Sequence, residues 1–297
     1  MKTSLLQKIV AQEDLNFLLT NRVPRIALTR FIGWYSQIRS PWLARLSIGV
    51  WRWFSDLDLS ESPPQRYASL HDCFTRPIRP ETRPIDADPD GLCSPSDAIV
   101  GACGVVEGTR VFQAKGFPYT LAELFGPSQD TTPWHDGVFV TLRLTSAMYH
   151  RFHAPQDLSV DHVTYLSGDT WNVNPIALKR VERLFCRNER AVLNTRLSRT
   201  GTPIAIVPVA AILVASLRLH FLDVLLHLRY RGPNEIPVQP PAMFRKGQEM
   251  GWFQHGSTIL VFAPRGWRLA DGITDGLRIR MGQALLVPDT AALEATP

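Results

Sequence analysis

The chain has 297 residues, of which 45% are hydrophobic and 20% are charged, and it carries a formal net charge of +5. This composition excludes a disordered or low-complexity protein, and the basic balance favours an anionic partner such as a membrane surface, a nucleic acid or an acidic substrate. The four cysteines include no CxxC pair, which argues against a zinc ribbon and a disulfide framework.

The N-terminal segment is basic and rich in tryptophan. Between Leu15 and Ser55 it has no Asp or Glu, whereas it contains six arginines and four tryptophans. Apolar residues recur at helical spacing, and Pro24 and Pro41 stand where helices can begin. We predict two or three short amphipathic helices on an anionic membrane surface. The alternative is packing on the protein's own core; no nucleic-acid motif is present, so we expect no nucleic-acid partner.

No segment is expected to span a bilayer or to act as a secretory signal. The first residues contain Glu13 and Asp14 and lack a small-residue cleavage site. The longest uncharged apolar run, 203–217, contains Pro208 and is shorter than the roughly twenty residues that cross a membrane. This run is predicted to form two buried strands instead.

After an acidic, proline-containing linker at 55–67, short apolar runs alternate with Gly, Pro and Asp turns. The main helical candidate there is 174–192, with Asn174 as its cap and Pro175 in its first turn. The predicted fold class is α+β: short amphipathic N-terminal helices in a membrane-associating region, 1–60, followed by a β-rich, mostly antiparallel domain, 61–297.

Several polar residues beside apolar runs are candidates for chemistry. Asp97 precedes an apolar strand, where it is either a functional acid or a turn aspartate. His150 and His153 would share one face of a helix or tight turn, and they suit acid/base work or a purely structural role. They are not expected to bind a metal, because HExxH and a third ligand are missing. Ser257 follows Gly256 outside any GxSxG motif and is either a nucleophile or a turn serine. Lys115 and the cluster 188–190 indicate no activity alone.

Eight motifs in one order carry a resemblance. They read HDCFTRPIRPETRPID, SPSDAIV, FQAKGFPYTLAELFG, FVTLRLTSAMYHRFHAP, GDTWNVNP, LFCRNERAV, KGQEMGWFQHGSTILVFAP and RMGQALL. In this order they resemble the phosphatidylserine decarboxylases of the bacterial single-chain proenzyme type, from about Leu28 to Leu286. The most specific parts are YHRFHAP and the Gly-Ser-Thr step.

The resemblance implies self-cleavage at the Gly256–Ser257 bond. The serine oxygen attacks the preceding carbonyl, the resulting ester eliminates, and loss of ammonia leaves a pyruvoyl group at residue 257. The products would be a large chain, 1–256, and a small chain, 257–297, which form a heterodimer or a higher oligomer. The ketone would then bind the substrate amine and accept the electron pair that CO2 leaves behind, a role usually filled by pyridoxal phosphate.

The resemblance also implies roles for single residues. Asp97, His153 and Ser257 match a self-processing triad, in which the carboxylate orients the imidazole that accepts the hydroxyl proton. His150 matches the histidine of decarboxylation and would protonate the product carbanion. The chain departs from the family at Ala98, at His255 and in IVPVAAILVAS, but none of these departures removes a reacting group.

The implied activity converts phosphatidylserine to phosphatidylethanolamine and CO2. This lipid stays in the bilayer, so the protein is expected at the cytoplasmic face of the cell membrane as a peripheral protein. Two alternatives stay open at this level: a pyruvoyl-dependent decarboxylase of a soluble amino acid, and a membrane-binding homologue that has lost catalysis.

Overall fold

A computed structural model describes residues 13–21, 23–113, 117–212, 216–223, 225–227, 230–254 and 257–289. Lys115, His255 and Gly256 lie outside these residues, as do the two ends of the chain. The described part is α+β, as predicted: N-terminal helices precede antiparallel sheets.

Three helices stand in the described portion of the N-terminal segment, and they confirm the helices predicted there. These are α1 (Glu13–Asn21), α2 (Arg25–Ser36) and α3 (Pro41–Phe54). Ser40 caps α3 by accepting a hydrogen bond from the Leu43 N–H at 3.4 Å, and Pro41 occupies the first turn, where its missing N–H costs no hydrogen bond. No helix in the described ranges is both long and apolar enough to cross a bilayer.

Helices α2 and α3 leave large apolar side chains exposed to solvent. We call this set the N-terminal apolar face; it consists of Phe31, Trp34, Trp42, Leu46, Val50 and Trp53. The four that belong to α3 recur every three or four residues and form one stripe. Four arginines of the same segment are also exposed, namely Arg30, Arg39, Arg45 and Arg52.

The opposite side of these helices packs on the rest of the protein. Trp51 is buried and stacks on Phe74, with ring centroids 5.7 Å apart. Arg25 pairs with Asp169 at 2.6 Å, and its guanidinium lies 3.7 Å from the Trp171 ring centroid. The segment therefore has one buried and one exposed side, so packing on the core and an exposed apolar surface coexist.

The prediction of a single helix at 174–192 is wrong. Two one-turn helices stand there instead, α6 (Pro175–Leu178) and α7 (Leu184–Arg187), after the short helices α4 (Leu70–Phe74) and α5 (Leu121–Phe125). Asn174 does cap α6, as predicted, by accepting from the Ala177 N–H at 2.8 Å. Arg183 has a left-handed backbone with φ 53°, which interrupts the helix, and from Arg190 onward the chain pairs with a neighbouring strand.

An eight-stranded antiparallel sheet forms the centre of the fold. From edge to edge its strands are β12 (Glu235–Phe244), β7 (Leu158–Leu166), β8 (Arg190–Leu197), β9 (Pro203–Ala210), β14 (Ser257–Ala263), β5 (Val138–Arg143), β2 (Ala98–Val105) and β16 (Arg278–Ile279). The run 203–217 forms β9 and the start of β10, which confirms the two buried strands predicted there.

Smaller sheets complete the fold. A four-stranded sheet has the order β11 (Leu225–His227), β10 (Ser216–Leu219), β13 (Glu249–Phe253) and β6 (Arg151–His153). A three-stranded sheet has the order β1 (Leu92–Cys93), β17 (Ala284–Pro288) and β15 (Trp267–Leu269). β3 (Arg110–Phe112) and β4 (Pro118–Thr120) form a hairpin.

Both faces of the central sheet are buried. Along β14, Ile259 and Val261 pack in the cluster shared with the four-stranded and three-stranded sheets, whereas Leu260 and Phe262 pack in the cluster that includes α5 and α7. Because successive strand residues point to opposite faces, the continuous apolar run of β14 follows directly from this double burial. The strand that begins at Ser257 is thus an interior strand.

Candidate active site

Ser257 is the first residue of β14, at the point where the chain passes from one sheet to another. Its backbone partner is Ala210 at the end of β9. The preceding strand, β13, belongs to the four-stranded sheet and ends at Phe253. The Phe253 N–H donates to the His150 carbonyl at 3.0 Å. The chain therefore enters the central sheet at Ser257, four residues after Phe253, whose backbone is bonded to His150.

His150 and His153 lie on an extended segment rather than on a helix or tight turn. His153 ends β6, and alternate residues of an extended chain point to opposite sides, so the prediction of a shared face is wrong. His150 is fully buried, and its ring centroid lies 4.0 Å from that of Phe74. Since Phe74 also stacks on Trp51, His150 packs against the residue that anchors α3.

The imidazole of His153 has a defined tautomer. Nδ1 lies 2.9 Å from the Gly247 carbonyl, which can only accept, so Nδ1 carries the proton. Nε2 then accepts from the Tyr149 hydroxyl at 2.9 Å. Burial lowers the pKa of His153, and the hydrogen bond to Gly247 only partly offsets this. The ring is therefore neutral near neutral pH, with its lone pair on Nε2, as a general base requires.

Asp97 is held by groups other than His153. Its carboxylate accepts from Arg83 Nε at 2.8 Å and Nη2 at 2.5 Å, and from the Met281 N–H at 2.9 Å. Burial disfavours the charge of Arg83, but the hydrogen bonds that it donates to Asp97 and Glu61 outweigh this and raise the pKa of the guanidinium. Asp97 thus forms a buried, bidentate ion pair.

Asp97 nevertheless lies close to His153 and its hydrogen-bond partner Tyr149. The His153 N–H donates to the Pro95 carbonyl at 2.8 Å, and Asp97 and Tyr149 line one cleft of about 370 Å³. In the described part of the chain, however, the groups bonded to the imidazole are Gly247 and Tyr149, not Asp97. Asp97 was predicted to orient His153, but the two side chains make no direct hydrogen bond in the described structure.

Sequence reasoning missed Arg83 and Tyr149 as members of the site and gave no role to the cluster 188–190. Tyr149 stands in the YHRFH motif, and this position could have indicated that it belongs to the site. Nothing in the sequence pairs Arg83 with an acid fourteen positions away. In the cluster, Asn188 donates to the Trp171 and Ala210 carbonyls, and Arg190 donates to backbone carbonyls that include Leu124. These two side chains are structural.

Known proteins show which family this site belongs to. The sequence profile of the phosphatidylserine decarboxylase family matches residues 70–287. The chain is 34% identical over 280 residues to the phosphatidylserine decarboxylase proenzyme of Erwinia tasmaniensis, covering 90% of this chain and 92% of that protein. The chain belongs to the phosphatidylserine decarboxylase family. This confirms the resemblance found in the motifs, and it identifies the protein as an enzyme, a decarboxylase of that family.

Two further relatives have the same printed name. The proenzyme of Methylococcus capsulatus is 32% identical, with 89% of this chain and 93% of that protein covered. The proenzyme of Brevibacillus brevis is also 32% identical, with 90% of this chain and 95% of that protein covered. The similarity therefore extends over nearly the full length of these relatives.

The residues at this site fit the pyruvoyl group that the family implies. Glu189 is buried, neither of its carboxylate oxygens has a hydrogen-bond partner in the described ranges, and it lines a small cavity with Ala210, the strand partner of Ser257. A buried acid without a partner is costly, so it indicates a ligand or a reaction at this place. The structure places no group of three or more His, Cys, Asp or Glu side chains where it could hold a metal ion, among the residues it describes.

Proposed function

We propose that the protein decarboxylates phosphatidylserine to phosphatidylethanolamine and CO2, with a pyruvoyl group formed from Ser257 by self-cleavage of the Gly256–Ser257 bond. The observation that carries the proposal is the place of Ser257: it starts an interior strand where the chain leaves the sheet that bears His153. The pyruvoyl group supplies a ketone that binds the substrate amine and accepts the electron pair left by CO2.

In self-cleavage, His153 acts as the base. Its Nε2 lone pair is available because Nδ1 is committed to the Gly247 carbonyl. Tyr149 occupies Nε2 in the uncleaved chain, so the serine hydroxyl reaches the base by displacing this phenol or through it. Asp97 lies near the pair while it is bonded to Arg83, and its electrostatic interaction with His153 favours the imidazolium that forms when His153 takes the proton.

In decarboxylation, His150 is the proton donor. It is fully buried on the segment bonded to the end of β13, so it delivers a proton without admitting bulk water. Its packing on Phe74 keeps the ring in place.

The two chains produced by cleavage would stay together as a heterodimer. β14 pairs with β9 on one side and with β5 on the other, so the start of the small chain is an inner strand of the sheet formed by the large chain. Both faces of this strand are buried. Cleavage at its amino end therefore leaves the strand pairing from Thr258 to Ala263 in place.

We place the protein at the cytoplasmic face of the cell membrane, and the N-terminal apolar face supports the contact with a membrane surface. Trp34, Trp42 and Trp53 are 63%, 74% and 78% exposed, and exposed tryptophans beside arginines suit the interface of an anionic bilayer. The four exposed arginines of α2, α3 and the linking segment have no ion-pair partner among the described side chains. A surface that binds the bilayer keeps the enzyme next to a substrate that does not leave it.

The direct test of the activity compares the protein with Ser257→Ala on phosphatidylserine vesicles and on free L-serine. We expect the protein to be cleaved and to form phosphatidylethanolamine, whereas Ser257→Ala stays uncleaved and inactive. Ser198→Ala, at an exposed serine, is the matched control and should behave as the parent. Lipid product from Ser257→Ala would contradict the pyruvoyl mechanism, and preference for free serine would contradict the lipid substrate.

A further inference from the structure

Glu189 is a buried acid that has no role in the proposed self-cleavage or proton donation. It is 3% exposed and immediately precedes β8. Its backbone is fully engaged: the N–H donates to the Asp169 carbonyl at 2.9 Å, and the carbonyl accepts from the Ala210 N–H at 2.8 Å. Its carboxylate is not: both oxygens lack a hydrogen-bond partner among the described groups. A fold rarely retains such a group without a use for it.

The carboxylate has no compensating charge in the described part of the chain. Arg190, the nearest basic residue in sequence, turns its guanidinium to the Glu123, Leu124 and Cys186 carbonyls. Burial is accordingly the one influence on the pKa of Glu189, and it raises that pKa to about 8.

Glu189 lines a cavity between the central and the four-stranded sheets. Its volume is about 10 Å³, enough for roughly one water or one nitrogen of similar size. Tyr165, whose hydroxyl also lacks a partner in the described residues, lies on the same cavity. Two residues with buried polar groups that lack partners among the described residues, a carboxylate and a phenol, thus line a space of ammonium size.

Two walls of this cavity belong to the strands that meet at the cleavage site. Ala210 is the backbone partner of Ser257, and Phe253 ends β13, four residues before Ser257. The His150 carbonyl holds the Phe253 N–H. The cavity therefore lies beside the backbone position at which the reactive end of the small chain would form.

We propose that Glu189 is the acid/base residue for the amino group of the substrate. This inference rests on the proposed function. An α-amino group arrives as an ammonium and must lose a proton before its nitrogen can attack a ketone. One N–H bond breaks and one O–H bond forms on Glu189. That proton and a second proton from the amine would then leave with the ketone oxygen as water, the third would stay on nitrogen, and the carboxylate is regenerated without any oxidant or co-reactant.

The energetics of this transfer are favourable. The pKa of about 8 for Glu189 lies much closer to that of the substrate ammonium than an ordinary carboxylate's does, so the proton transfer costs less free energy. The ammonium charge also favours the ionised carboxylate as the substrate enters. An ordinary surface carboxylate, with its pKa near 4, would be a much weaker base for this amine.

The test uses Glu189→Gln in the full, self-cleaving protein. Mass spectrometry of the two chains measures self-cleavage, and we expect self-cleavage of this variant to be complete. Sodium cyanoborohydride then couples phosphatidylserine in detergent micelles to the small chain, and the mass increase is followed in time. We expect this coupling and the decarboxylation rate to fall about 100-fold or more. In the variant, the coupling rate should keep rising with pH up to the pKa of the substrate amine, whereas in the parent the rise should end near pH 8, where Glu189 ionises.

Controls separate the possible outcomes. Glu107→Gln, at an exposed glutamate, should match the parent, and Glu189→Asp should restore part of the coupling rate. Parent-like coupling with a parent-like pH profile in Glu189→Gln would overturn the proposal, and so would an uncleaved variant, because Glu189 would then act in processing. Failure of Glu189→Gln to fold would also overturn it, since the carboxylate would then have a structural partner. If the parent itself stays uncleaved, the proposed function fails instead.

Discussion

The ionisation of Glu189 has a consequence for stability that is measurable without any catalysis. In the Ser257→Ala background the chain is expected to stay whole, so Glu189→Gln can be compared with its parent as one polypeptide. The carboxyl has a pKa of about 8 in the fold and about 4.5 in the unfolded chain. It therefore holds its proton more tightly when folded, and the free energy of unfolding falls as the pH rises between these values.

The magnitude follows from the difference between the two pKa values. Each unit is worth about 1.4 kcal/mol, so this one group should remove roughly 3 kcal/mol of stability between about pH 5.5 and about pH 7.5. A glutamine does not titrate and removes this loss. Urea unfolding at both pH values measures the difference, with Glu107→Gln as the control. Parallel pH profiles for Glu189→Gln and its parent would refute the raised pKa of the buried acid.

Three further predictions concern the site and the membrane. His153→Gln should slow self-cleavage at least about 100-fold, whereas Tyr149→Phe, which frees Nε2 from one neutral hydrogen bond worth about 1 kcal/mol, should change the rate only several-fold; equal losses would contradict the assignment of the base. Asp97→Asn should lower the free energy of unfolding by roughly 3 kcal/mol in urea, because it leaves a buried arginine without its main partner; an unchanged value would show that the ion pair is dispensable. Serine at the three tryptophans of the N-terminal apolar face should weaken sedimentation with phosphatidylserine vesicles more than tenfold, while serine at Val105 and Met243, exposed elsewhere, should not. Equal loss in both sets would argue against a specific membrane face.

Much of the fold follows from local patterns. Helix α3 could be predicted because Pro41 and the spacing of its apolar residues act within a few positions. The strand pair after residue 203 could be predicted because an uncharged run with Pro208 suits buried strands better than a spanning helix. The helix predicted at 174–192 failed because the backbone of Arg183 and the pairing of Arg190 with Val209 outweigh helical periodicity.

The candidate site could also be predicted only in part. The candidate residues Asp97, His150, His153 and Ser257 were found because they stand in motifs with a family order. The contacts of these residues could not be predicted, because the contacts are made with segments that are distant in sequence. Arg83 binds Asp97, and the Gly247 carbonyl fixes the tautomer of His153. Glu189 was passed over because a sequence does not show that an acid is buried without a partner.

The central claim is that Ser257 becomes the reactive end of a separate chain. Mass spectrometry of the purified, folded protein tests this most directly. The account predicts two chains, and the one that begins at residue 257 should be lighter than its serine-initiated form by the mass of one ammonia and blocked to Edman degradation. A folded protein that remains a single chain of 33.4 kDa would contradict the account.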